Sequence, residues 1–364
     1  MRFVPVQGLM EGMTVGKNLY DINHKLLLAK GSVVQRSYIQ RILQLGYQGI
    51  YIDDDISKDI DVRDVIRDEL RMKAIKSIKD AFIHHDTSTL SGQKKVKKSI
   101  DMTKIMVSNI VEEILENRDT MVNLIDLKFF DDYTFFHSVN VAVLSVLVGV
   151  ELGLSREQLF NLGLAAILHD IGKIFVDIDI LNKPAKLTEE EYQHIQKHSE
   201  YGYNYLKESY EIPAQVFVAV LQHHEYYNGQ GYPGQKEKDE ISLIARIISI
   251  ADVFDALTSN RPYRKQLLPS EAMEYIMGNG GTMFDINLTK IFARKVAPFP
   301  VGTYVKLSNG ILGIVTENFE ETCMRPKVKA ILDGMGQRLD GIIINLHNDR
   351  SLRNVTVTGM NDLI

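Results

Sequence analysis

Cysteine is almost absent from this sequence of 364 residues, which contains Cys323 alone. A single cysteine excludes a disulfide within the chain and a cysteine-rich zinc site. This usage fits a reducing compartment, and we therefore predict a cytoplasmic location. The first residues also contain no apolar stretch long enough for a signal peptide.

Charge of a single sign and long hydrophobic runs are scarce as well. The net charge is −5 and no block of like charge covers a domain, so we predict neither a nucleic-acid polymer nor an acidic membrane as a partner. The longest apolar run, residues 139–150, contains Asn140 and Ser145 and is too short to span a bilayer. We predict a buried helix there and no membrane span.

Hydrophobic periodicity divides the chain into four parts. Residues 1–52 combine strand-like and helical segments, and residues 53–98 carry apolar residues at helical spacing among many charges, which predicts a helical connector that could form a homodimer. Residues 99–297 show repeated helical stripes with few strand signals, while residues 298–364 alternate as short strands. We predict a multidomain, mainly α chain, with an all-α helical domain flanked by a small N-terminal α+β module and a small C-terminal β module.

Capping residues mark several helix starts within the helical domain. Ser155 and Thr188 each precede acidic or amide residues, which is the pattern of a capping box. The predicted helices are 100–115, 121–130, 135–152, 156–168, 189–206, 214–225, 241–259 and 270–277.

Imidazole and carboxylate groups recur along this domain in a pattern typical of metal ligands. His169 and Asp170 are adjacent at the end of an apolar helix, and Asp252 interrupts an apolar segment where an uncompensated carboxylate would be costly to bury. Asp255, three positions on, could accept a hydrogen bond from a ligand histidine or be a simple helix-face carboxylate. A lone residue of this kind is usually a satisfied core or surface group, so the hypothesis depends on the whole set. The candidates are His137, His169, Asp170, His198, His223, His224 and Asp252.

This set exceeds what one cation needs, because one ion usually takes about four protein groups. We therefore predict two divalent ions, with Asp170 as the bridge because its neighbour His169 can hold one side. A two-metal site binds phosphate oxygens, polarises phosphorus and supplies a hydroxide nucleophile. Nitrogen and oxygen ligands without thiolate suit iron, manganese or zinc, and the sequence does not choose among them.

Three further features lie near these ligands. Residues 226–234 contain glycines, an Asn-Gly pair and a proline, which predict a loop at the pocket edge whose tyrosines could cover a substrate; the alternative is a loop that only terminates the helix. Lys173 could contact phosphate or protonate a leaving oxygen, whereas the alternative is a surface lysine. Arg261 and Arg264 could clamp phosphate oxygens, or lie solvated at a helix end.

Five short motifs in this region resemble those of the HD-GYP domain family. They occur in the family's order and cover about 99–297, so the modules at both ends lie outside the resemblance. The motifs are HDIGK at 169–173, HHE at 223–225, GQGYPG at 229–234, DVFDALTSNRPYRK at 252–265 and GGTMFD at 280–285.

The resemblance implies an all-α, metal-dependent phosphodiesterase that hydrolyses the bacterial second messenger cyclic di-GMP to pGpG, GMP or both. The seven candidate ligands match the family's metal ligands, which implies two divalent ions, with iron or manganese favoured and zinc as an alternative. Asp170 and Lys173 are implied in catalysis, and Lys173, Arg261, Arg264 and Tyr232 in substrate binding. The loop segment Gly231-Tyr232-Pro233 implies contacts with a protein partner and control of substrate access.

Three positions depart from the family's pattern. Asn228 stands where many members have aspartate, and Ile286 stands where proline is common. A glutamate that allows a third metal in some members is replaced by Tyr133, with Asp131 and Asp132 as substitutes. We therefore expect two metals and an active enzyme.

Two other functions are compatible with the same residues. The first is the same chemistry on another cyclic dinucleotide, such as cyclic GMP-AMP. The second is a sensor or interaction protein that binds cyclic di-GMP without turnover, which the complete ligand set argues against. The input signal would come from residues 1–52 or from a partner protein.

Overall fold

The N-terminal module of the computed structural model is a small α+β unit. Its antiparallel sheet has the strand order β1–β5–β2, and β3 and β4 form a separate pair. The described residues are 1–21, 25–83, 89–118, 120–122, 133–181, 183, 185–208, 211–259, 266–339 and 341–360. The elements of this module are β1 (Arg2–Pro5), β2 (Thr14–Val15), β3 (Leu19–Tyr20), β4 (Leu26–Leu28), α1 (Arg36–Gln44) and β5 (Gly49–Asp53).

The middle of the chain is helical, as the periodicity predicts. The capping boxes at Ser155 and Thr188 are both present and begin α5 and α7. The helices are α2 (Asp68–Ile83), α3 (Leu90–Glu116), α4 (Tyr133–Glu151), α5 (Arg156–Leu168), α6 (Ile178–Leu181), α7 (Glu189–Gln196), α8 (His198–Glu208), α9 (Ala214–Gln222), α10 (Leu243–Thr258), α11 (Pro269–Gly278) and α12 (Ile286–Lys295).

Several predicted helix limits differ from those observed. The predicted helix 189–206 is two helices that meet at Lys197, and the predicted helix 214–225 ends at Gln222 because the chain turns at the two histidines that follow. Most of the predicted helix 121–130 lies outside the described residues. The short helix α6 and the helix α12 were not predicted.

Helix α4 lies at the centre of the helical region. It packs against α2, α3, α5, α10 and α12, which explains why it is apolar on all sides. By length and composition alone the segment Thr134–Glu151 could cross a membrane, but 78% of it is buried inside the protein, as expected of a core helix.

Helices α2 and α3 connect the N-terminal module to this helical core. One continuous apolar core extends from the module through both helices to α12, and α3 crosses the limit predicted between residues 98 and 99. The division into 1–52, 53–98, 99–297 and 298–364 stays a prediction.

The C-terminal module is a five-stranded antiparallel sheet of order β10–β6–β7–β8–β9 with its own core. It contacts the N-terminal module, because Arg2 Nη1 donates to the Tyr304 hydroxyl at 2.6 Å. It also contacts the segment that follows that module, because Lys329 pairs with Asp59 at 2.7 Å. The mainly helical class, with a small strand-containing module at each end, is thereby confirmed. The strands are β6 (Tyr304–Leu307), β7 (Leu312–Glu317), β8 (Lys327–Leu332), β9 (Ile343–Asn345) and β10 (Val357–Met360).

Candidate metal centre

Three buried histidines are oriented in the same way at the ends of helices. In each, ring nitrogen Nδ1 lies within hydrogen-bond distance of the carbonyl three residues earlier, in the last turn of α5, α7 or α9. A carbonyl only accepts, so Nδ1 carries the proton and Nε2 keeps its lone pair. The bonds join His169 to Ala166 at 2.8 Å, His198 to Ile195 at 2.7 Å and His223 to Val220 at 2.6 Å.

These Nε2 lone pairs face one another rather than a donor. The Nε2 atoms of His198 and His223 are 3.3 Å apart, although neither carries a proton to share. The Nε2 atom of His169 is buried and has no hydrogen-bond partner among the described residues. Buried acceptors that meet without a donor are unfavourable unless a cation lies between them, so the donor set fits a metal.

The two predicted aspartates lie among these rings. Asp170 is 2% exposed, and its oxygens approach different histidines: Oδ2 lies 3.4 Å from His169 Nε2 and Oδ1 lies 3.4 Å from His198 Nε2. Asp252 Oδ1 lies 3.1 Å from His137 Nε2, and its Oδ2 lies 3.9 Å from His224 Nδ1. The seven residues predicted as ligands are therefore brought together.

The ligand atoms form two adjacent groups, each within 4.8 Å. Asp170 belongs to the group that contains His137 and His169, and its Oδ1 also lies 3.4 Å from His198 Nε2 in the other group. This is the arrangement that a bridging carboxylate requires. One group is His137, His169 and Asp170, and the other is His198, His223 and His224.

Burial sets the charge state of this cluster. It lowers the pKa of His198 to about 4 and that of His224 to about 3, and it lowers the pKa values of His169 and His223 as well. Burial alone would raise the pKa of Asp170, but the Lys173 ammonium, 2.5 Å from Oδ2, holds that pKa well below its usual range. At neutral pH these four imidazoles are therefore neutral and Asp170 is ionised, which are the forms that bind metal.

His137 is oriented by a side chain instead of a helix-end carbonyl. Its Nδ1 lies 2.7 Å from Oδ2 of Asp255, which is fully buried and also accepts from Asn140 Nδ2 at 2.9 Å. Asp255 is thus a partner of a candidate ligand, the first of the two interpretations that its spacing allowed. The sequence did not indicate Asn140, although an amide within an apolar run is an unusual feature that could have identified it.

The loop after the paired histidines folds back over them. Tyr232 stacks on the His224 ring at a centroid distance of 4.7 Å, and a Cβ at Gly231 would lie 2.2 Å from the Tyr226 nitrogen. The buried Glu225 carboxylate accepts from the backbone N–H groups of Gly234 and Lys236, at 2.6 and 3.0 Å. The loop lies at the edge of the site, and Glu225 holds it there.

Gly172 allows the HDIGK segment to approach α8. A Cβ at Gly172 would lie 1.9 Å from the His198 carbonyl oxygen and 2.4 Å from the Gly202 nitrogen. The close backbone contact fixes the start of α8, and hence His198, against the turn that carries Asp170 and Lys173.

Some predicted positions play other roles or are not described. Asp285 of the GGTMFD motif caps α12, accepting from the Asn287 nitrogen at 2.8 Å, and also pairs with Arg246 at 3.0 Å. Arg261 and Arg264 lie outside the described residues, as do Asp131 and Asp132.

Comparison with known proteins identifies this arrangement. Residues 111–288 match the family model of the HD domain. This region belongs to the HD domain family. The resemblance predicted from the motifs is confirmed, since HD-GYP domains are members of the HD superfamily. Helix α2 precedes the matched region.

Relatives of this HD domain include cyclic-dinucleotide phosphodiesterases. The chain is 37% identical over 224 residues to cyclic di-GMP phosphodiesterase PA4108 of Pseudomonas aeruginosa, covering 62% of this chain and 54% of that protein. It is 34% identical over 244 residues to 3'3'-cGAMP-specific phosphodiesterase 1 of Vibrio cholerae, covering 67% and 53%. The chain thus spans about half the length of the curated relatives it matches. The structure of Bd1817, an HDG"Y"P protein from Bdellovibrio bacteriovorus, aligns with a TM-score of 0.47 at 17% identity, covering 80% of this chain and 97% of that one.

Proposed function

We propose that this chain is a metal-dependent phosphodiesterase that hydrolyses cyclic di-GMP to pGpG, GMP or both. The observation that carries the proposal is the buried cluster of imidazoles around Asp170. In it the Nε2 atoms of His198 and His223 face each other at 3.3 Å, and His169 Nε2 has no hydrogen-bond partner among the described residues. The 37% identity to a cyclic di-GMP phosphodiesterase supports the choice of substrate.

The proposed centre takes two divalent ions, with iron or manganese favoured and zinc as an alternative. His137 and His169 would hold one ion, the three remaining histidines the other, and Asp170 would bridge them with Asp252 alongside. When bound, such ions would hold phosphate oxygens, polarise phosphorus and lower the pKa of water. The absence of thiolate from the described ligand set supports this choice.

The chain's own groups would then orient the substrate and move a proton. Lys173 is 30% exposed while its ammonium contacts Asp170, so it can face both the carboxylate and a bound phosphodiester. We assign it to donate a proton to the leaving 3′-oxygen. The Tyr232 ring, which covers His224, would shield the reaction from water, and Arg261 and Arg264 would clamp phosphate oxygens.

A second candidate function is hydrolysis of 3'3'-cGAMP. The 34% identity to a phosphodiesterase specific for that dinucleotide favours it, and the two substrates differ only in one base. A sensor that binds cyclic di-GMP without turnover is the alternative from another class.

One assay distinguishes these functions. The metal-free protein is reconstituted anaerobically with Fe(II), Mn(II) or Zn(II), incubated with cyclic di-GMP or 3'3'-cGAMP in parallel, and the products are separated by chromatography. We expect linear product from cyclic di-GMP, and none from the Asp170→Ala variant. Faster hydrolysis of 3'3'-cGAMP would favour the second function. Tight binding without product under every metal would favour the sensor.

Partners and location are proposed on narrower grounds. We place the protein in the cytoplasm, with the Gly231-Tyr232-Pro233 segment as a contact for a protein partner. A homodimer through the connector is supported by Ile83 of α2 and Leu90 of α3, which are 57% and 79% exposed. Light scattering after size-exclusion chromatography measures the oligomeric state directly.

A further inference from the structure

A side chain from outside the matched HD region reaches the proposed metal centre. Arg71 lies on α2, and its Nη1 donates to Asn140 Oδ1 on α4 at 2.6 Å. Asn140 Nδ2 donates to Asp255 Oδ1 at 2.9 Å, and Asp255 Oδ2 lies 2.7 Å from His137 Nδ1. A continuous series of hydrogen bonds therefore joins the connector to a candidate ligand.

The direction of every bond in this series follows from chemistry. A guanidinium only donates, so the Asn140 atom facing Arg71 is the amide oxygen and the atom facing Asp255 is the amide nitrogen. An ionised Asp255 only accepts, so His137 must donate from Nδ1. The other ring nitrogen of His137, Nε2, lies 3.1 Å from Asp252 Oδ1 and faces the ligand cluster.

The orientation of the His137 ring depends on side-chain hydrogen bonds, whereas the rings of the other three histidines are oriented by backbone carbonyls. His169, His198 and His223 are oriented by carbonyls in the last turns of helices, where the backbone carbonyls have no donor within the helix. His137 lies in the first turns of α4, where the carbonyls serve the helix itself. Its ring therefore takes its orientation from Asp255. Asp255 in turn accepts from Asn140 Nδ2 at 2.9 Å and, more weakly, from the Ser259 hydroxyl at 3.3 Å.

We propose that Arg71 is a positioning residue for the metal ligand His137. It fixes the Asn140 amide in the one orientation that donates to Asp255. Without that guanidinium the Asn140 oxygen loses its charged donor, so the amide is held less tightly against the Asp255 carboxylate and the imidazole is held less tightly in turn. The connector helix α2 is then a structural part of the metal centre. This inference rests on the metal centre of the proposed function, but not on its substrate.

Metal binding tests the proposal without any substrate. Metal-free wild type, Arg71→Met, Asn140→Ala and the double variant are titrated with Mn(II) in equilibrium dialysis. Partners of metal ligands typically change metal affinity by about 10- to 100-fold when removed. We expect the Kd of Arg71→Met to rise about 10-fold, that of Asn140→Ala at least as much, and the double variant to match Asn140→Ala, since both residues act through one series.

Arg67 provides the matched control. It lies one turn earlier, and its guanidinium pairs with Glu113 of α3 at 2.8 Å instead of reaching α4. Arg67→Met should bind Mn(II) with the wild-type Kd. Thermal unfolding of each metal-free variant shows whether a change in Kd reflects a general loss of stability. If Arg71→Met does not fold, Arg71→Lys, which keeps the charge but loses the forked donor, takes its place.

Three results would overturn the proposal. The first is a wild-type Kd for Arg71→Met, the second is an equal loss in Arg67→Met, and the third is fully additive losses in the double variant. Absence of cyclic di-GMP hydrolysis together with a selective loss of Mn(II) affinity in Arg71→Met would contradict the proposed function alone.

Discussion

Helix ends determine which nitrogen of a ligand histidine is protonated. The last turn of a helix has carbonyls without a helical donor, and a histidine placed just beyond it can use one of them. His169, His198 and His223 all follow this rule, so each presents Nε2. The backbone thus orients three of the candidate ligands in the proposed metal centre, so substitutions of the ligand side chains themselves should have the largest effect on metal binding.

Asp170→Asn tests the proposed bridge with little change in shape. The amide keeps the volume of the carboxylate but loses its charge and presents an NH2 donor, so it can no longer serve both groups of histidines. We expect metal content to fall by at least half and phosphodiesterase activity to fall by about 100-fold or more. The exposed Asp179→Asn is the control, and metal content is measured by elemental analysis. Full metal occupancy in Asp170→Asn would exclude the bridge.

Acid should lower the stability of the metal-free protein through its buried histidines, starting at a pH above the range in which carboxylates are protonated. The pKa of His198 is lowered by burial from 6.5 to about 4, so the unfolded state binds a proton that the folded state does not. Stability is therefore complete above about pH 6.5 and falls as the pH drops toward 4, by roughly 3 kcal/mol for this residue. Urea unfolding of metal-free protein between pH 7.5 and 4 measures this, and His198→Gln should flatten the slope. An unchanged slope would contradict the assignment.

The candidate ligands could be proposed from the sequence, whereas the orientation of their side chains could not. The pairs His169-Asp170 and His223-His224 occur in short motifs, and Asp252 is unusual because it interrupts an apolar helix. In the series from Arg71 to Asp255, Arg71 and Asn140 are separated by 69 positions in the sequence, and Asn140 and Asp255 by 115. No local sequence pattern indicates contacts over such separations. Only the packing of α2 and α10 on α4 brings those side chains together.

The turn that carries Gly172 and the start of α8 approach each other closely, backbone against backbone. A Cβ there would lie 1.9 Å from the His198 carbonyl, which is backbone and cannot move alone. Gly172→Ala should displace α8 with His198, lower the midpoint of thermal unfolding, and weaken Mn(II) binding by about 10-fold or more. Gly278→Ala is the control, because nothing lies within 4 Å of a Cβ at that helical position. Equal behaviour of the two variants would contradict this interpretation.

The loop over the site depends on one buried carboxylate. Glu225 accepts two backbone N–H groups of the loop, at 2.6 and 3.0 Å. In Glu225→Gln the amide nitrogen would face a donor, which costs about 1 to 3 kcal/mol. We expect the loop to loosen and KM for cyclic di-GMP to rise several-fold, with metal content unchanged. The exposed Glu208→Gln is the charge-matched control, and loss of metal from Glu225→Gln would point to a different role.

Helix existence was easier to predict than helix limits. The capped helix Arg156–Leu168 matches its prediction, because the Ser155 capping box and the apolar stripe agree. The break at Lys197 was missed because the residues on both sides remain good helix formers. What places the break is tertiary: α7 has to end where the Ile195 carbonyl can accept from His198.

At the scale of the whole molecule, the helical domain does not end where its composition changes. One apolar core includes residues of the N-terminal module, of α2 and α3, and of the HD region. Helix α2 contributes the fully buried side chains of Ile75 and Ile78, and it packs against both α3 and α4. The charged surface of residues 53–98 made this segment look like a connector, whereas its buried face belongs to the core.

Removing α2 should therefore destabilise the HD region. Two fragments isolate its contribution: residues 53–297, which retain α2, and residues 99–297, which lack it and also shorten α3. Burial of a large aliphatic side chain stabilises by about 1.5 to 3 kcal/mol, so the loss of Ile75 and Ile78 alone should lower the unfolding midpoint by roughly 10 °C. Mn(II) affinity should fall as well, since Arg71 is removed with the helix. Both fragments lack the same terminal modules, so any difference reports residues 53–98. Equal melting and equal Mn(II) binding would instead show that residues 99–297 are an independent domain.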